Sequence, residues 1–445
     1  MNFKASFYNV LFHHSGKYYV YNTLSVALAE LDKLTFECLN NNKLNQLPIE
    51  NIEGLVESKF LVESDADEQA EYLYFYNRLR LAGTAKVLSI TFVPSFLCNL
   101  ACPYCLEGQD KDDKRVGKNE VDRVLRFAEK KIIESMNNEE IRIEHIHANL
   151  YGGEPMLQKQ SLIQYCVGMK QIADKYKCDI RFFIVSNFTL LDNEILDMIE
   201  KYDMIVQVSV DGTKEEHDKR RIYRDGKGSY DIIISNLRKM KERHLEKNVV
   251  LRINIDKESV ESAREIVNEV SQYSEDVYFG FLETFSGYND CFGENCIEKD
   301  NYAKMCRKYG LMELLKEHGY CMTPEFGKMQ PCAIGGENKF NVDPYLNVYT
   351  CELAVNQPEL RVGIIDEMGE FIPNNRFYKM MNHSPMLYAE CMRCKLMPMC
   401  ATGCPTKAYI RDGKHDGNID KPYCMHSEED LLNYLKHYVD TLQDE

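Results

Sequence analysis

Positive charge is in the minority in this sequence: 54 Lys and Arg face 70 Asp and Glu, a formal net charge of −16. That excludes the strong cationic field that draws a chain to nucleic acid or anionic lipid. Long apolar runs are missing as well. No stretch reaches the roughly 18 residues that a membrane span needs, and the opening MNFKASFYNVLFHHSGKYYVY holds no uninterrupted apolar core of signal-peptide length. The expectation is a cytoplasmic chain with neither nucleic acid nor membrane as partner. Nor is the balance that of a disordered or fibrous protein, since 44% of residues are hydrophobic and 28% charged. At roughly 150 residues per domain, the length amounts to about three domains.

What the sequence has in excess is cysteine, 17 in all. An odd, high count in a chain with no export signal points to thiolates kept for metal or redox chemistry, because cytosolic thiols are held reduced. Cys98, Cys102 and Cys105 form one group, and Cys391, Cys394, Cys400 and Cys404 another.

Residues 6–12 and 18–21 alternate around Ser15-Gly16, which predicts a hairpin. Leu28, Leu31, Leu34, Cys38 and Leu39 recur at helical spacing, a short helix is expected over Ile49–Leu55, and a closing strand over Phe60–Val62. A charged stretch from Glu63 to Glu71 and a helical arm over Tyr72–Arg80 follow. From Val87 the pattern changes. Strands are expected at 87–93, 147–151, 180–185, 204–210, 249–255 and 277–282, with helices near 119–136, 158–176, 192–201, 229–243 and 259–272. Six β/α repeats imply a parallel sheet, open or curled into a partial barrel, with functional residues at the C-terminal ends of its strands. After a helix near 301–317 regularity is expected to give way to a region folded around metal, closed by a helix over 427–443.

Cys98-Asn-Leu-Ala-Cys102-Pro-Tyr104-Cys105 directly follows the first of these strands. Three thiolates on one tight loop can hold three irons of a [4Fe–4S] cube and leave the fourth open. The competing reading, a structural zinc site, normally wants four closed ligands, and no fourth Cys or His lies nearby. The C-x3-C-x2-C spacing with an aromatic before the last Cys resembles the radical S-adenosylmethionine (SAM) superfamily. That resemblance implies a SAM-binding [4Fe–4S] cluster on Cys98, Cys102 and Cys105, and reductive cleavage of SAM to a 5′-deoxyadenosyl radical. It also implies cofactor-binding roles for Tyr104, for Gly152, Gly153 and Glu154 of a Gly-Gly-Glu-Pro segment, and for Ser186 and Asn187, although Phe188 stands where Gly is usual. Ser209, Asp211 and Arg221, in a Ser-x-Asp-Gly…His-Asp-x-x-Arg block, and Arg252 with Asn254 complete the set.

Cys332, Cys351, Cys391, Cys394, Cys400, Cys404 and Cys424 are similar in order and central spacing to a SPASM domain, which houses auxiliary [4Fe–4S] clusters, with zinc as the alternative. By resemblance, Cys332, Cys351 and Cys404 belong to one cluster, with Cys321 the candidate fourth ligand. Cys391, Cys394, Cys400 and Cys424 belong to the other. Leu346 stands where glycine is common in this pattern. Glu352 directly follows Cys351. In the related anaerobic sulfatase-maturating enzymes an acidic residue there takes a substrate proton, so Glu352 is the candidate catalytic base, a role that a site near the clusters and away from water would favour by raising its pKa, with an ordinary surface Glu as the alternative. Of the remaining cysteines, Cys291 and Cys296 stand out for their Gly/Asn-rich loop.

The first 75 residues resemble the winged-helix recognition element fused to enzymes that modify ribosomally made peptides, a unit able to bind a leader by strand addition. The expected fold class is therefore α/β: a partial (β/α)6 TIM-type barrel over 76–318, an N-terminal winged-helix-like unit over 1–75, and a C-terminal Fe–S cluster-binding SPASM domain over 319–445. The resemblance implies a radical SAM peptide maturase with SAM and three [4Fe–4S] clusters, one SAM-binding and two auxiliary. It would install a thioether cross-link from cysteine to carbon in a precursor peptide with a leader, with a flavodoxin- or ferredoxin-type electron donor. Formylglycine formation on a sulfatase and a non-catalytic iron–sulfur protein that binds peptide or carries electrons are the alternatives.

Overall fold

The computed structural model describes residues 2–105, 107–108, 112–282, 295–297, 305–306, 308–320, 332, 336–412, 421–424 and 427–443. Cys291 and Cys321 lie outside the described residues, as do positions 301–304 and 307 of the expected helix at 301–317, of which Leu311–Glu317 is seen as a helix.

The chain begins with β1 (Phe3–Ala5), β2 (Asn9–His14), β3 (Lys17–Asn22) and β4 (Leu28–Leu31), followed by α1 (Lys33–Asn40), α2 (Ile49–Glu57) and β5 (Leu61–Glu63). β2 and β3 form the expected hairpin, and both residues of its Ser15-Gly16 turn have positive φ, the geometry whose twist matches that of paired strands. Residues 28–31 are a strand paired with β3, where helical spacing had been expected. The helix starts only at Lys33, because the Asp32 carboxylate accepts the Thr35 amide at 2.9 Å and caps it there. One face of the β2-β3-β4 sheet packs on Cys38, Leu39, Leu47 and Leu55 beneath it. The other turns Val10, Phe12, Tyr19 and Tyr21 toward Leu396, Met399 and the closing helix Glu428–Gln443, through its Leu431, Leu435 and Val439.

After α3 (Glu68–Ala85) come β6 (Val87–Phe92), α4 (Lys118–Ser135), β7 (His145–Leu150), α5 (Lys159–Tyr176), β8 (Asp179–Ser186), α6 (Asn193–Tyr202), β9 (Ile205–Val210), α7 (Lys214–Arg220), α8 (Tyr230–Glu242), β10 (Val249–Ile255), α9 (Ala263–Val270) and β11 (Asp276–Phe281). These six strands are parallel and lie in sequence order, β6 to β11. The alternation of short apolar strands with amphipathic helices allows only this arrangement, with helices covering the apolar faces.

The sheet does not end at β6. β12 (Lys339–Val342) pairs parallel to it, and β13 (Asn347–Tyr349), β14 (Gly363–Ile365) and β15 (Phe371–Pro373) continue antiparallel, giving ten strands. Residues 339–373 are thus more regular than the sequence suggested. Their strands are only three or four residues long, too short for a periodic signal. Phe127 of α4 meets Phe340 edge-on at 4.8 Å, and Phe340 meets Phe371 at 5.4 Å. Arg123 donates to the carbonyl of Asp366 at 2.9 Å. The extension is therefore fastened to α4. No helix among the described residues is long and apolar enough to cross a membrane.

Candidate active site

Two glycines bring the first cysteine loop into place. Beyond β6 the chain turns through 95–97 into Cys98, and the segment after β7 runs back against that turn. Gly153 N donates to Ser95 O at 3.2 Å and Glu154 N to Leu97 O at 2.8 Å. A Cβ on Gly153 would lie 2.2 Å from Phe96 O, and one on Gly152, whose φ is +133°, 2.6 Å from Ser95 O. Only glycine lets the two backbones approach so closely.

Glu154 is fully buried and spends both oxygens on the chain itself. Oε2 accepts Asn187 N at 2.7 Å, while Oε1 accepts Ser186 Oγ at 2.9 Å and Met156 N at 3.0 Å. Burial pushes its carboxyl up, and these bonds oppose the push. The end of β8 is thereby tied to the end of β7. Asn187 in turn reaches the cysteine loop, its Nδ2 lying 3.6 Å from Cys98 Sγ and 2.9 Å from Asn99 Oδ1, while Asn99 donates to Thr189 Oγ1 at 2.7 Å. Sequence reasoning missed Asn99 and Thr189, short polar residues that carry no motif of their own. Phe188 adopts φ +61° and is fully buried, with its carbonyl held by Asn236 Nδ2 at 2.8 Å. The left-handed backbone usual for glycine is kept here despite the side chain.

Cys98, Cys102 and Cys105 pack in one small cluster with Leu100, Tyr104, Tyr223 and Leu282. Burial pushes the Cys102 thiol up to about 12; the Arg221 guanidinium opposes this, and Asp211, Cys105 and Cys98 reinforce it. As bare thiolates the three would be costly, whereas thiolates bound to iron are charge-compensated. Among the described residues no three His, Cys, Asp or Glu side chains close on a single ion position. An iron–sulfur cube, in which each thiolate takes a separate iron, needs no such point. The donor set fits that group.

Tyr104 Oη donates to Asp211 Oδ2 and accepts from Arg221 Nη1 at 2.9 Å, so the loop is latched to the end of β9. Asp211 also accepts Asn254 Nδ2 at 2.8 Å, and Asn254 Oδ1 accepts Arg252 Nε at 2.9 Å. Gly280, opposite Asn254 on β11, leaves the space in which these side chains lie: a Cβ there would sit 2.6 Å from Arg252 Nε. Burial alone would lower the Arg221 pKa, but Asp211 and the three thiols raise it. Among the described residues its Nε is buried without a hydrogen-bond partner, a donor beside the cysteines that suits an anionic ligand. Ser209, nearly buried, faces Arg252 in the strand register.

His217 and Asp218 are structural. His217 Nδ1 accepts the Asp211 amide at 3.2 Å, so its Nε2–H donates to Ser229 Oγ at 3.0 Å, and Ser229 donates to the Arg221 carbonyl at 2.6 Å. Asp218 accepts the Tyr230 amide at 2.9 Å. Arg220, which the sequence did not single out, is buried and donates through Nη2 to both oxygens of buried Asp256, at 2.8 and 2.9 Å. The one sequence signal for it was Asp256 itself, whose Oδ1 accepts the Ser259 amide three residues on.

The C-terminal cysteines gather in two places. Burial pushes the Cys391 thiol up to about 12, with further contributions from Cys400, Cys424 and Cys394 around it. Cys404 is pushed up by burial and lies within electrostatic reach of Cys332, while Cys351 neighbours Thr406. Leu346, in the turn between β12 and β13, has φ +62°, and Asp343 holds that turn by accepting Tyr345 N at 2.8 Å and Asn347 N at 2.9 Å.

Glu352 is half-buried, between the two surroundings the sequence left open. Its side chain is 36% exposed and pairs with Lys339 Nζ at 3.3 Å, because it follows a strand end facing the β6–β12 junction. Thr91 Oγ1 donates to it at 3.5 Å. Tyr151, which sequence reasoning passed over although it directly precedes Gly152, lies within electrostatic reach of both Cys105 and Glu352. Burial raises its pKa well above the ordinary value, and the charges of Glu107, Cys105 and Glu352 add to that.

Residues 92–270 match the Radical SAM superfamily family model and form a radical SAM domain. The chain is 23% identical over 361 residues to a cysteine-type anaerobic sulfatase-maturating enzyme of Clostridium perfringens (strain 13), covering 76% of this chain and 93% of that protein. The fold is similar to that of anSMEcpe with bound AdoMet and a Cp18Cys peptide, with a TM-score of 0.58 at 19% identity over 80% of this chain and 98% of that one. It is also similar to Streptococcus suis SuiB bound to S-adenosylmethionine, with a TM-score of 0.55 at 14% identity over 94% of this chain and 98% of that one.

Proposed function

We propose that this radical SAM enzyme, related to anaerobic sulfatase maturases and to maturases of ribosomally made peptides, installs a thioether cross-link in a precursor peptide. The observation that carries this reading is the unit formed by residues 2–63. It has its own three-stranded sheet, and among the described residues β4 pairs with β3 alone, so its outer edge carries no further strand. An extended peptide can add there, backbone bonds giving affinity. Supporting it, the sulfatase-maturating relative leaves about a quarter of this chain unmatched.

In this reading Cys98, Cys102 and Cys105 hold the SAM-binding cluster. Cys391, Cys394, Cys400 and Cys424 hold one auxiliary cluster, and Cys332, Cys351 and Cys404, with Cys321, the other. When bound, SAM on its cluster supplies a 5′-deoxyadenosyl radical and the auxiliary clusters an electron acceptor. The chain's own residues do the rest. Gly152 and Gly153 let the segment after β7 lie against the turn that leads into Cys98, where the cofactor would be held. Arg221, Arg252 and Asn254 offer donors to it, and the buried walls limit access of water to a radical. Per link the peptide loses two hydrogens: one as an atom to the radical, the other as the thiol proton, with one electron to the acceptor. Glu352, half-buried and paired with Lys339 Nζ, takes the proton.

A second reading, formylglycine formation from cysteine, is favoured by the name of the Clostridium relative. The experiment is anaerobic turnover of the reconstituted chain with SAM, a strong reductant and co-encoded cysteine-containing peptides, followed by mass spectrometry. Loss of two hydrogens with the sulfur retained supports the cross-link. Loss of the sulfur in exchange for oxygen overturns it in favour of the aldehyde.

A further inference from the structure

Among the described residues, two tyrosine hydroxyls near the Cys391 group have no hydrogen-bond partner. Tyr8, at the start of the N-terminal hairpin, is fully buried, and Tyr72 of α3 is 6% exposed. A buried, unpaired hydroxyl costs about 1–3 kcal/mol, so two side by side need an explanation. Both rings pack in one cluster with Cys391, Tyr388, Met397 and Ala401. Their phenols lie within electrostatic reach of the cysteines: Tyr8 of Cys394, and Tyr72 of Cys400 and Cys391. The carboxylate nearest Tyr8 does not pair with it, because Glu68 is taken by Ser6 Oγ and by the Phe7 amide at 2.8 Å.

The main chain here is clamped from the same side. Lys395 donates through Nζ to the Asn9 carbonyl at 2.9 Å and accepts at its own carbonyl from Thr23 Oγ1, while Gln69 donates to the Met392 carbonyl at 2.5 Å. The loop carrying Cys391, Cys394 and Cys400 is therefore enclosed by residues 8–23 and 69–72. These residues supply no ligand, yet they place two O–H donors beside Cys391, Cys394 and Cys400.

We propose that Tyr8 and Tyr72 donate hydrogen bonds to the sulfurs of an iron–sulfur centre held by Cys391, Cys394, Cys400 and Cys424, and thereby set its reduction potential. This rests on the reading of those cysteines as cluster ligands. A donor directed at cluster sulfur favours the reduced, more negative form, so it raises the potential. No bond to iron and no proton transfer is involved. Tyr8 and Tyr72 are positioning residues of the centre, and the N-terminal unit forms part of its shell.

The test is an EPR-monitored redox titration of the anaerobically reconstituted full chain, with Cys98, Cys102 and Cys105 replaced by alanine so that only the C-terminal centres report. Tyr8→Phe and Tyr72→Phe, with unchanged iron content, are expected to move one midpoint to more negative potential, further in the double variant. The other midpoint should stay fixed. Unmoved midpoints at full iron content overturn the proposal. If a phenylalanine variant fails to hold the centre, site-specific fluorotyrosine at position 72 replaces it: the more acidic hydroxyl is a stronger donor, and a positive shift is expected. An unmoved midpoint there equally overturns the proposal. If Cys391→Ala costs the full chain no iron, the cluster assignment itself falls, and the proposal with it.

Discussion

Phe188 holds a left-handed backbone that glycine would adopt without strain, and it keeps a fully buried ring while doing so. The two effects oppose each other. Phe188→Gly relieves about 1–2 kcal/mol of backbone strain, but removing a buried phenyl costs about 3–5 kcal/mol. A net loss of about 2 kcal/mol is expected in chemical denaturation, and a gain would mean that the ring contributes little. His217 offers a second test. Burial, aided by Arg221 and Arg220, lowers its pKa well below the ordinary value, so the folded chain keeps it neutral. The unfolded chain takes up that proton below about pH 6.5. The stability is therefore fully present above the ordinary histidine value and is lost as pH falls below it. Thermal unfolding between pH 7.5 and 5.5 should fall more steeply for the wild type than for His217→Gln; equal slopes would show that another group titrates. Position 188, like 346, was visible in the sequence as a departure from glycine. What the sequence did not disclose is that the backbone conformation survives the departure: Asn236 holds the turn at 188 from 48 residues away, and Asp343 holds the turn at 346 from within it.

At the scale of elements, the six β/α units were readable because each strand is a compact apolar run and each helix has an apolar stripe. β4 was not, since Leu28, Leu31 and Leu34 fit a helix equally well until Asp32 caps the chain after the strand. The proposed peptide site lies on this misread element. Hydrogen exchange of residues 28–31 is expected to slow when the precursor peptide is added, while the strands β6–β11 are unaffected. Protection confined to other elements would remove β4 from the peptide-binding reading. The cysteine loop at 98–105 was legible from spacing, but its anchorage was not. The Arg220–Asp256 pair and the Asn99–Asn187–Thr189 contacts join residues that are far apart in sequence and belong to no shared motif.

Across the whole molecule the parts are less separable than two boundaries on a sequence suggest. One sheet runs from β11 through β6 into β12–β15, and the N-terminal unit rests on the closing helix. Deleting residues 1–63 is therefore expected to do more than weaken peptide binding. It should uncover Leu396, Met399, Leu431, Leu435 and Val439, lower the solubility of the chain and reduce its iron content. A soluble truncated protein with undiminished iron would show instead that the two parts are independent.

The packing of the hairpin on the closing helix also has a consequence for synthesis. Val10, Phe12, Tyr19 and Tyr21 leave the ribosome early, yet Leu431, Leu435 and Val439 that cover them are translated some 400 residues later. At the usual rates of elongation that face stays uncovered for roughly 20–80 seconds. The nascent chain carries an exposed aromatic strand pair through that interval, which makes it a natural client for a chaperone until translation is complete.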